Sequence, residues 1–465
     1  MPLNRHGSRS RRSRPLAAPV HHPDQTAEMP THTLPKTGLG ADASYEMISS
    51  ELLLDGQARL NLATFVTTWM PSTAAQLMAD TADKNMIDKD EYPQTAEIES
   101  RCVNILADLW HAPEQESATG CSTTGSSEAA MLAGMALKWR WRARREQTGK
   151  STDRPNLVMG ANVQVCWEKF CRYWDVEPRM VPMEGDRFHL GAQEAVELCD
   201  ENTIGVVAIL GSTFDGSYEP TRDIAAALDK VEEERGLYVP VHVDAASGGF
   251  VAPFLAPELE WDFRLERVQS INASGHKYGL VYPGVGWALW RNHDALPKEL
   301  IFNVNYLGGN MPTFALNFSR PGSEVIAQYF MFTSLGHEGY RRVMQNAQDV
   351  AQHLSHEIAE MAPYNLVTDG SDLPVFSFAL KPEIENYTVF DVSDRLRMRG
   401  WLVPAYTFPE NRQDLSVLRI VVRAGMNHEM ADLLLDHLAE QTDFLQSLEG
   451  PLPAQRPEVR EAFKH

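Results

Sequence analysis

Ser274-Gly275-His276-Lys277 is the stretch of sequence that decides the fold class of this chain. It follows residues 267–273, an apolar stretch that we interpret as the end of a strand. Asp244 ends an earlier strand-like run, Val241-His242-Val243-Asp244. A pyridoxal phosphate (PLP) site needs both groups, because the lysine forms a Schiff base with the cofactor and the aspartate pairs with the pyridinium nitrogen. A buried lysine by itself is more often an ion-pair residue, so the prediction of a PLP site depends on the combination.

The residues that follow Asp244 are small, Ala245-Ala246-Ser247-Gly248-Gly249. Small side chains here, including that of Ala246, would let a flat ring lie close to the strand end. The aspartate would keep the ring nitrogen protonated, so that the ring can take electrons from a carbanion at the substrate's α-carbon. The plain alternative is an aspartate that ends a strand in a turn, which is common in α/β proteins.

Gly125-Ser126-Ser127 stands directly before a strongly helix-forming stretch, Glu128-Ala129-Ala130-Met131-Leu132-Ala133. Either serine can cap that helix, and Glu128 suits its first turn. A helix N-terminus with exposed N–H groups and two hydroxyls is also a phosphate site. Because it precedes the strands of Asp244 and Lys277, we predict that it holds the cofactor phosphate.

Three further residues are weaker candidates when taken alone. His276 could stack on the ring or handle protons, although a structural histidine is an equal alternative. Thr213 lies just past the strand-like run 206–210 and could reach the phosphate or the ring oxygen. Gln164, in Ala161-Asn162-Val163-Gln164, could cover the ring face.

Length, charge and cysteine usage restrict the class of protein. A chain of 465 residues is too long for one core, so two or three domains are expected. The net charge of -21 argues against nucleic acid as a partner. Five cysteines without a CxxC pair favour a reducing cytosol over a disulfide framework, and no apolar run approaches the roughly 18 residues of a membrane helix.

Helix-like stretches alternate with short strand-like runs from about residue 60 onward. The helix-like stretches are 98–110, 126–145 and 223–235, and the strand-like runs are 156–159, 205–210 and 239–243. This alternation predicts an α/β fold with a mostly parallel sheet, in which ligands bind at the carboxyl ends of the strands. A long helical stretch over 324–361 is expected to lead into a smaller domain, with strands over 373–380 and 416–422 and helices over 389–399 and 429–448.

These patterns predict five segments along the chain. They are a disordered basic tail over 1–40, an N-terminal segment over 41–60, a PLP-binding large domain over 61–345, a smaller α+β C-terminal domain over 346–450 and a C-terminal tail over 451–465.

Four long motifs together resemble those of the glutamate decarboxylases, and the resemblance runs from about Glu46 to the C-terminus. The motifs are Asn85-Met86-Ile87-Asp88-Lys89-Asp90-Glu91-Tyr92-Pro93, Gly125-Ser126-Ser127-Glu128-Ala129, His242-Val243-Asp244-Ala245-Ala246-Ser247-Gly248-Gly249-Phe250 and Ser274-Gly275-His276-Lys277-Tyr278-Gly279. The resemblance implies a PLP-dependent fold of type I, like that of aspartate aminotransferase. It implies that L-glutamate is converted to 4-aminobutyrate and carbon dioxide.

The resemblance also implies roles for individual residues. Lys277 would hold the cofactor, Asp244 would pair with the ring nitrogen, and His276 would stack over the ring. The other residues implied to bind the cofactor are Ser126, Ser127, Gln164, Thr213, Ala246 and, across a dimer interface, Ser319. Arg423 would bind the substrate α-carboxylate through its guanidinium fork. Thr64, Phe65 and Asp88 would receive the distal carboxylate, in part from a partner subunit.

Two expectations concern pH. Asp88 beside an anionic substrate places two carboxylates in one site, which requires that one be protonated and therefore predicts a preference for acid pH. The chain ends in His465, and by resemblance to the bacterial members this terminus would plug the site at neutral pH. A frayed terminus is the equal alternative.

The expected assembly is a cytoplasmic homodimer, for which the resemblance also leaves a hexamer open. The runner-up activity is PLP-dependent decarboxylation of another acidic amino acid, aspartate or cysteine sulfinate. A non-catalytic scaffold relative would be expected to lack the lysine or the ring aspartate, and both are present. A nicotinamide dehydrogenase is disfavoured because the glycine fingerprint is missing. Acid resistance and general 4-aminobutyrate metabolism both remain open as physiological roles.

Overall fold

The computed structural model describes residues 30–115, 117–305, 311–448 and 450. The structure divides into two units, one ending at Gln57 and one beginning at Ala58. In the first unit the described part contains helix α1, Ala41–Leu52, which begins after Gly40 at a φ of 81°. Residues 1–29 of the predicted disordered tail, and the whole terminus that carries His465, lie outside the described residues, so both expectations stay predictions.

The second unit contains all the strands and the other helices of the described residues. The strands are β1 (Thr119–Thr123), β2 (Asn156–Gly160), β3 (Glu177–Val181), β4 (Thr203–Ile209), β5 (Val241–Asp244), β6 (Val268–Ala273), β7 (Gly286–Trp290), β8 (Phe302–Val304), β9 (Met311–Thr313), β10 (Tyr364–Leu366), β11 (Val375–Leu380), β12 (Ala405–Thr407) and β13 (Ser416–Val421). The α-helices are α2 (Ser72–Asp80), α3 (Pro93–Leu109), α4 (Ser126–Gln147), α5 (Val165–Tyr173), α6 (Ala192–Glu197), α7 (Thr221–Arg235), α8 (Ala252–Leu255), α9 (Ser323–Glu360), α10 (Val389–Met398) and α11 (His428–Gln446).

The large sheet has the strand order β1-β7-β6-β5-β4-β2-β3. Strands β6, β5, β4, β2 and β3 pair in parallel, whereas β7 runs antiparallel to β6 and β1. Every residue of β4, β5 and β6 is buried, as expected for strands covered on both faces. The predicted α/β fold with a mostly parallel sheet is confirmed.

A second sheet has the order β10-β11-β13-β12 and is antiparallel throughout. Helices α9, α10 and α11 contribute apolar residues to the core beside it, including Leu354, Leu396 and Leu438. This sheet lies within the C-terminal domain that the sequence predicts, although the domain bounds themselves stay a prediction.

Helix α9 is interrupted, which the sequence pattern did not predict. Gly336 has a φ of 59° and a ψ of -176°, a conformation that a side chain would strain. Residues before the break, such as Met331, pack in the core of the large sheet, and residues after it, such as Leu354, pack beside the second sheet. The change of core comes later than the break, because Met344 still packs in the core of the large sheet and Ala347 is the first residue of α9 in the other core.

The topology brings the carboxyl ends of four strands to one edge of the large sheet. β4 ends at Ile209, β5 ends at Asp244, β6 ends directly before Ser274, and β1 leads through Thr124 into Gly125. The residues singled out in the sequence therefore meet at one edge, where ligands of such sheets bind.

Candidate active site

A cavity of about 310 Å³ lies at this edge. Its lining combines residues from the ends of the strands, the start of α4 and the segment before α5. The lining residues are Thr124, Gly125, Ser126, Ser127, Glu128, Asn162, Gln164, Cys166, Ile209, Gly211, Thr213, Asp244, Ala246, Ser274, His276 and Lys277. Eight of the residues predicted to bind or act on the cofactor are thus brought together: Ser126, Ser127, Gln164, Thr213, Asp244, Ala246, His276 and Lys277.

Lys277 lies in the loop that follows β6, where its Nζ donates to Ser247 Oγ at 3.3 Å. Burial lowers the pKa of the ammonium, the carboxylate of Asp244 opposes this shift, and the guanidinium of Arg419 adds to it. A lowered pKa increases the fraction of neutral amine, which is the form that can attack a carbonyl carbon.

Asp244 is 5% exposed and is held by three N–H groups. Trp167 Nε1 donates to one carboxylate oxygen at 2.8 Å, while Asn272 Nδ2 and the backbone N–H of Ala246 donate to the other at 2.9 and 3.2 Å. These contacts fix the carboxylate at the end of β5, so it is positioned to accept a hydrogen bond from a protonated ring nitrogen.

Behind Asp244 lies a layer of residues that the sequence reasoning missed. His242 is fully buried and pairs through Nε2 with Asn272 Oδ1 at 2.7 Å and through Nδ1 with Ser270 Oγ at 2.8 Å. Burial lowers the pKa of His242 to about 4, so the imidazole is neutral near neutral pH. The signal available in the sequence was the polar side chains within the otherwise apolar strands β5 and β6.

His276 lies where the start of α4 approaches the lysine loop. Burial, followed by the nearby charge of Lys277, lowers the pKa of His276 to about 4. Its Nδ1 is buried and lacks a hydrogen-bond partner among the described residues. A side chain at Gly125 would come within 2.8 Å of His276 Cε1, so glycine is required for this close approach.

The start of α4 differs from the prediction that Ser126 or Ser127 caps the helix. Gly125 is the N-cap residue, and neither it nor a serine provides a side-chain cap. The Ser126 hydroxyl instead pairs with Ser274 Oγ at 2.6 Å, and the Glu128 carboxylate accepts from Thr124 N at 2.7 Å. The capping prediction was wrong because the chain enters the helix one residue earlier, which turns Ser126 toward the lysine loop.

Gln164 and Thr213 lie on the other walls of the cavity. Gln164 caps α5, since its Oε1 accepts from Cys166 N at 2.6 Å. The backbone oxygen of Thr213 accepts from a guanidinium nitrogen of Arg419.

The predicted substrate residues do not line this cavity, but one of them, Phe65, lies next to the lysine. Thr67 ties their segment to the lysine loop, because its N–H donates to His276 O at 2.8 Å and its hydroxyl donates to Lys277 O at 2.6 Å. The Phe65 ring centroid is 5.2 Å from Lys277 Nζ. Thr64, whose hydroxyl accepts from Val66 N at 3.1 Å, belongs to the same segment.

Arg423 lies at the end of β13 and is 7% exposed. Its guanidinium donates to Val66 O at 3.0 Å, to Thr68 Oγ1 at 2.6 Å and to Asn61 O. Burial lowers the pKa of Arg423.

Asp88 and Ser319 form a separate cluster with Asn85. Asn85 Nδ2 donates to Ser319 Oγ at 3.3 Å, Asn85 Oδ1 accepts from Arg320 N at 3.0 Å, and Asn85 O accepts from Asp88 N at 3.1 Å. Neither Asp88 nor Ser319 lines the cavity of Lys277.

The donors and acceptors in the cavity fit PLP. A lysine amine, a fixed carboxylate at a neighbouring strand end and the N-terminus of a helix of 22 residues match the aldehyde, the ring nitrogen and the phosphate of the cofactor. The partnerless Nδ1 of the neutral His276 can accept a hydrogen bond from a bound group, or donate one, depending on its tautomer.

Comparisons with known proteins agree with this fit. The pyridoxal-dependent decarboxylase conserved domain matches residues 35–381. A glutamate decarboxylase from Aliivibrio fischeri is 55% identical over 423 residues, which cover 90% of this chain and 91% of the relative. Glutamate decarboxylase beta from Listeria innocua is 50% identical over 411 residues, covering 87% of this chain and 88% of the relative.

Solved structures show the same fold. A glutamate decarboxylase from Lactobacillus brevis superposes with a TM-score of 0.89 at 47% identity, covering 92% of this chain and 98% of that one. A sphingosine-1-phosphate lyase from Burkholderia pseudomallei has a TM-score of 0.75 at 21% identity, covering 89% and 93% of the two chains, and shares the fold alone. The predicted PLP-dependent fold of type I is confirmed, and the chain belongs to the pyridoxal-dependent decarboxylase family.

Proposed function

We propose that this chain is a PLP-dependent glutamate decarboxylase, which converts L-glutamate to 4-aminobutyrate and carbon dioxide and takes up one proton per turnover. The observation that carries the proposal is the meeting of Lys277, Asp244 and the start of α4 in one cavity. The chain around that cavity is 55% identical to a protein named glutamate decarboxylase. Bound PLP would supply the electron sink for the electrons released when the α-carboxylate leaves.

Within this function Lys277 binds the cofactor and Asp244 keeps the ring nitrogen protonated. His276 would stack over the ring, Gln164 would pack on the ring, and Ala246 would also contact the cofactor. Ser126, Ser127 and Thr213 hold the phosphate side. Lys277 and His276 are the two groups at the cavity that could return a proton to the substrate α-carbon, and burial lowers the pKa of both.

Arg423 pairs with the α-carboxylate of the substrate. Phe65 lies beside Lys277, and with Thr64 of the same segment it would bound the region of the distal carboxylate. The separation of Asp88 and Ser319 from the cavity supports a homodimer as the functional unit, in which each chain completes the site of the other.

We propose that this activity lies in the cytoplasm, with acid resistance or general 4-aminobutyrate metabolism as its role. The cysteines are free, and no helix in the described ranges is long and apolar enough to span a membrane. Uptake of a proton at each turnover suits a cell that must remove acid. The Asp88 carboxylate near an anionic substrate favours activity at acid pH.

The test is product formation by the purified protein with PLP at mildly acidic pH, using L-glutamate, L-aspartate and L-cysteine sulfinate in parallel. We expect 4-aminobutyrate from glutamate at a kcat/KM far above that of the other two acids. A higher kcat/KM with aspartate or cysteine sulfinate would mean that this amino acid, and not glutamate, is the substrate. Absence of any product, with no absorbance from lysine-bound PLP, would refute it.

A further inference from the structure

A second buried arginine, Arg419 on β13, lies close to Lys277. It is 9% exposed, and in the described part of the chain no carboxylate lies within ion-pair distance of its guanidinium. Other buried arginines differ in this respect: Arg267 pairs with Asp229 and Glu232, and Arg320 pairs with Glu99 at 3.8 Å. Arg419 is therefore a buried positive charge without a local counter-ion.

Arg419 connects the substrate segment to the cofactor cavity. One guanidinium nitrogen donates to Ala63 O at 2.7 Å and another donates to Thr213 O. Its guanidinium carbon lies 4.8 Å from the centroid of the Phe65 ring, the same ring that Lys277 contacts. The Tyr406 ring packs at 5.5 Å from the guanidinium carbon. Arg419 thereby holds the Phe65 ring in place, and its positive charge acts electrostatically on Lys277.

A second buried guanidinium, that of Arg423, contacts the same substrate segment. Arg423 is also buried without an ion pair among the described residues, so two guanidinium groups lack a carboxylate. Leaving a charge buried and unpaired is costly, and an anionic ligand offsets that cost. A substrate with one carboxylate would compensate one arginine, whereas a substrate with two would compensate both.

We infer that Arg419 is a specificity-determining positioning residue, which favours substrates with a second carboxylate through its unpaired charge and its hold on Phe65. The two terminal nitrogens of Arg419 already donate to backbone oxygens. Arg419 therefore acts on the substrate indirectly, through the electrostatic attraction of its charge and through the position of the Phe65 ring. The inference rests on the proposed function, because it takes an amino dicarboxylate as the substrate.

The test compares two unreactive ligands that differ by one carboxylate, glutarate and pentanoate, binding to the PLP-loaded enzyme in a calorimeter. A positive charge that lies about 10 Å from a ligand carboxylate, with an effective dielectric constant of about 20, changes the dissociation constant of the ligand by on the order of tenfold. We therefore expect Arg419→Met to weaken glutarate binding about tenfold or more, and pentanoate binding less than about threefold. The KM for glutamate should rise more than kcat falls.

Two further variants make the result interpretable. Arg419→Gln removes the charge but keeps an amide donor, and it should show the same loss of glutarate preference even if Arg419→Met fails to fold. Arg267→Met is the matched control, because it removes a buried arginine that has its own carboxylate partners, and it should leave the ratio of the two affinities unchanged.

Equal weakening of glutarate and pentanoate in both Arg419 variants, or unchanged glutarate binding, would overturn the inference. This outcome is distinct from failure of the proposed function, since the binding measurement requires no turnover. If the wild-type protein makes 4-aminobutyrate and the affinity ratio does not respond to Arg419, the function stands and only the role of Arg419 falls.

Discussion

Glu219→Gln is expected to change how the stability of the protein depends on pH. Glu219 is 3% exposed and lies where the ends of β2 and β4 meet. One carboxylate oxygen accepts from Asn162 Nδ2 at 3.0 Å and Leu190 N at 2.8 Å, and the other accepts from Ile209 N at 2.7 Å. Burial outweighs these three donors and raises the pKa of Glu219 from 4.5 to about 7, and the Asp215 charge adds to the shift.

The direction of the pH dependence of stability follows from whether the folded or the unfolded protein holds the proton. Between the unfolded pKa of 4.5 and the folded pKa of about 7, the folded protein keeps a proton that the unfolded chain releases. The contribution of Glu219 to stability is therefore fully present below the unfolded pKa and is lost as pH rises through the folded pKa. A shift of this size corresponds to about 3 kcal/mol in the free energy of unfolding.

Urea unfolding of the wild type and of Glu219→Gln from about pH 4.5 to about pH 8 measures this contribution. The amide cannot titrate, and it places an N–H₂ group where a carboxylate oxygen accepted, so the variant is less stable than the wild type at low pH, where Glu219 is protonated. The difference between wild type and variant should shrink by about 3 kcal/mol as pH rises across this window. Glu233→Gln, on an exposed position of α7, is the control and should give a constant difference. A difference that stays constant for Glu219→Gln would refute the reasoning.

Three further predictions concern the site. Gly125→Ala should raise the dissociation constant of PLP about tenfold, because its new side chain would press on the His276 ring, and absorbance titration with PLP would measure it. Asn272→Ala should lower kcat about tenfold with secondary structure unchanged by circular dichroism, since a charged carboxylate, Asp244, loses a donor. The rate of decarboxylation should fall as pH rises above the acid range, and a rate that climbs steadily to about pH 8 would contradict this expectation. Deletion of the last two residues, Lys464 and His465, should raise the activity near neutral pH. A deletion without effect would contradict the expected role of His465.

Much of the fold could be predicted because it depends on local periodicity. Strand β4 is a nearly continuous apolar run, and α4 and α7 largely coincide with helix-like stretches that the sequence pattern shows. The interruption at Gly336 could not be predicted in the same way. A glycine within a helical pattern is tolerated, so the pattern does not distinguish a continuous helix from one that breaks at that glycine.

The candidate site was predictable to the extent that its residues stand in recognisable motifs. Lys277 and Asp244 fall at strand ends, and parallel strands bring their carboxyl ends to one edge. The support that Asn272 and His242 give to Asp244 was missed, because it depends on which residues of neighbouring strands stand side by side. Arg419 was missed for the same reason, since its closeness to Lys277 depends on tertiary packing around Phe65.

The central claim is that Lys277 carries the cofactor of a glutamate decarboxylase. The most direct test is borohydride reduction of the PLP-loaded protein followed by peptide mass mapping, beside 4-aminobutyrate formation by wild type, Lys277→Ala and the half-buried control Lys138→Ala. We expect the reduced pyridoxyl group on Lys277. The wild type and Lys138→Ala should form 4-aminobutyrate, and Lys277→Ala should form none. A label on another lysine, or undiminished product from Lys277→Ala, would contradict the account.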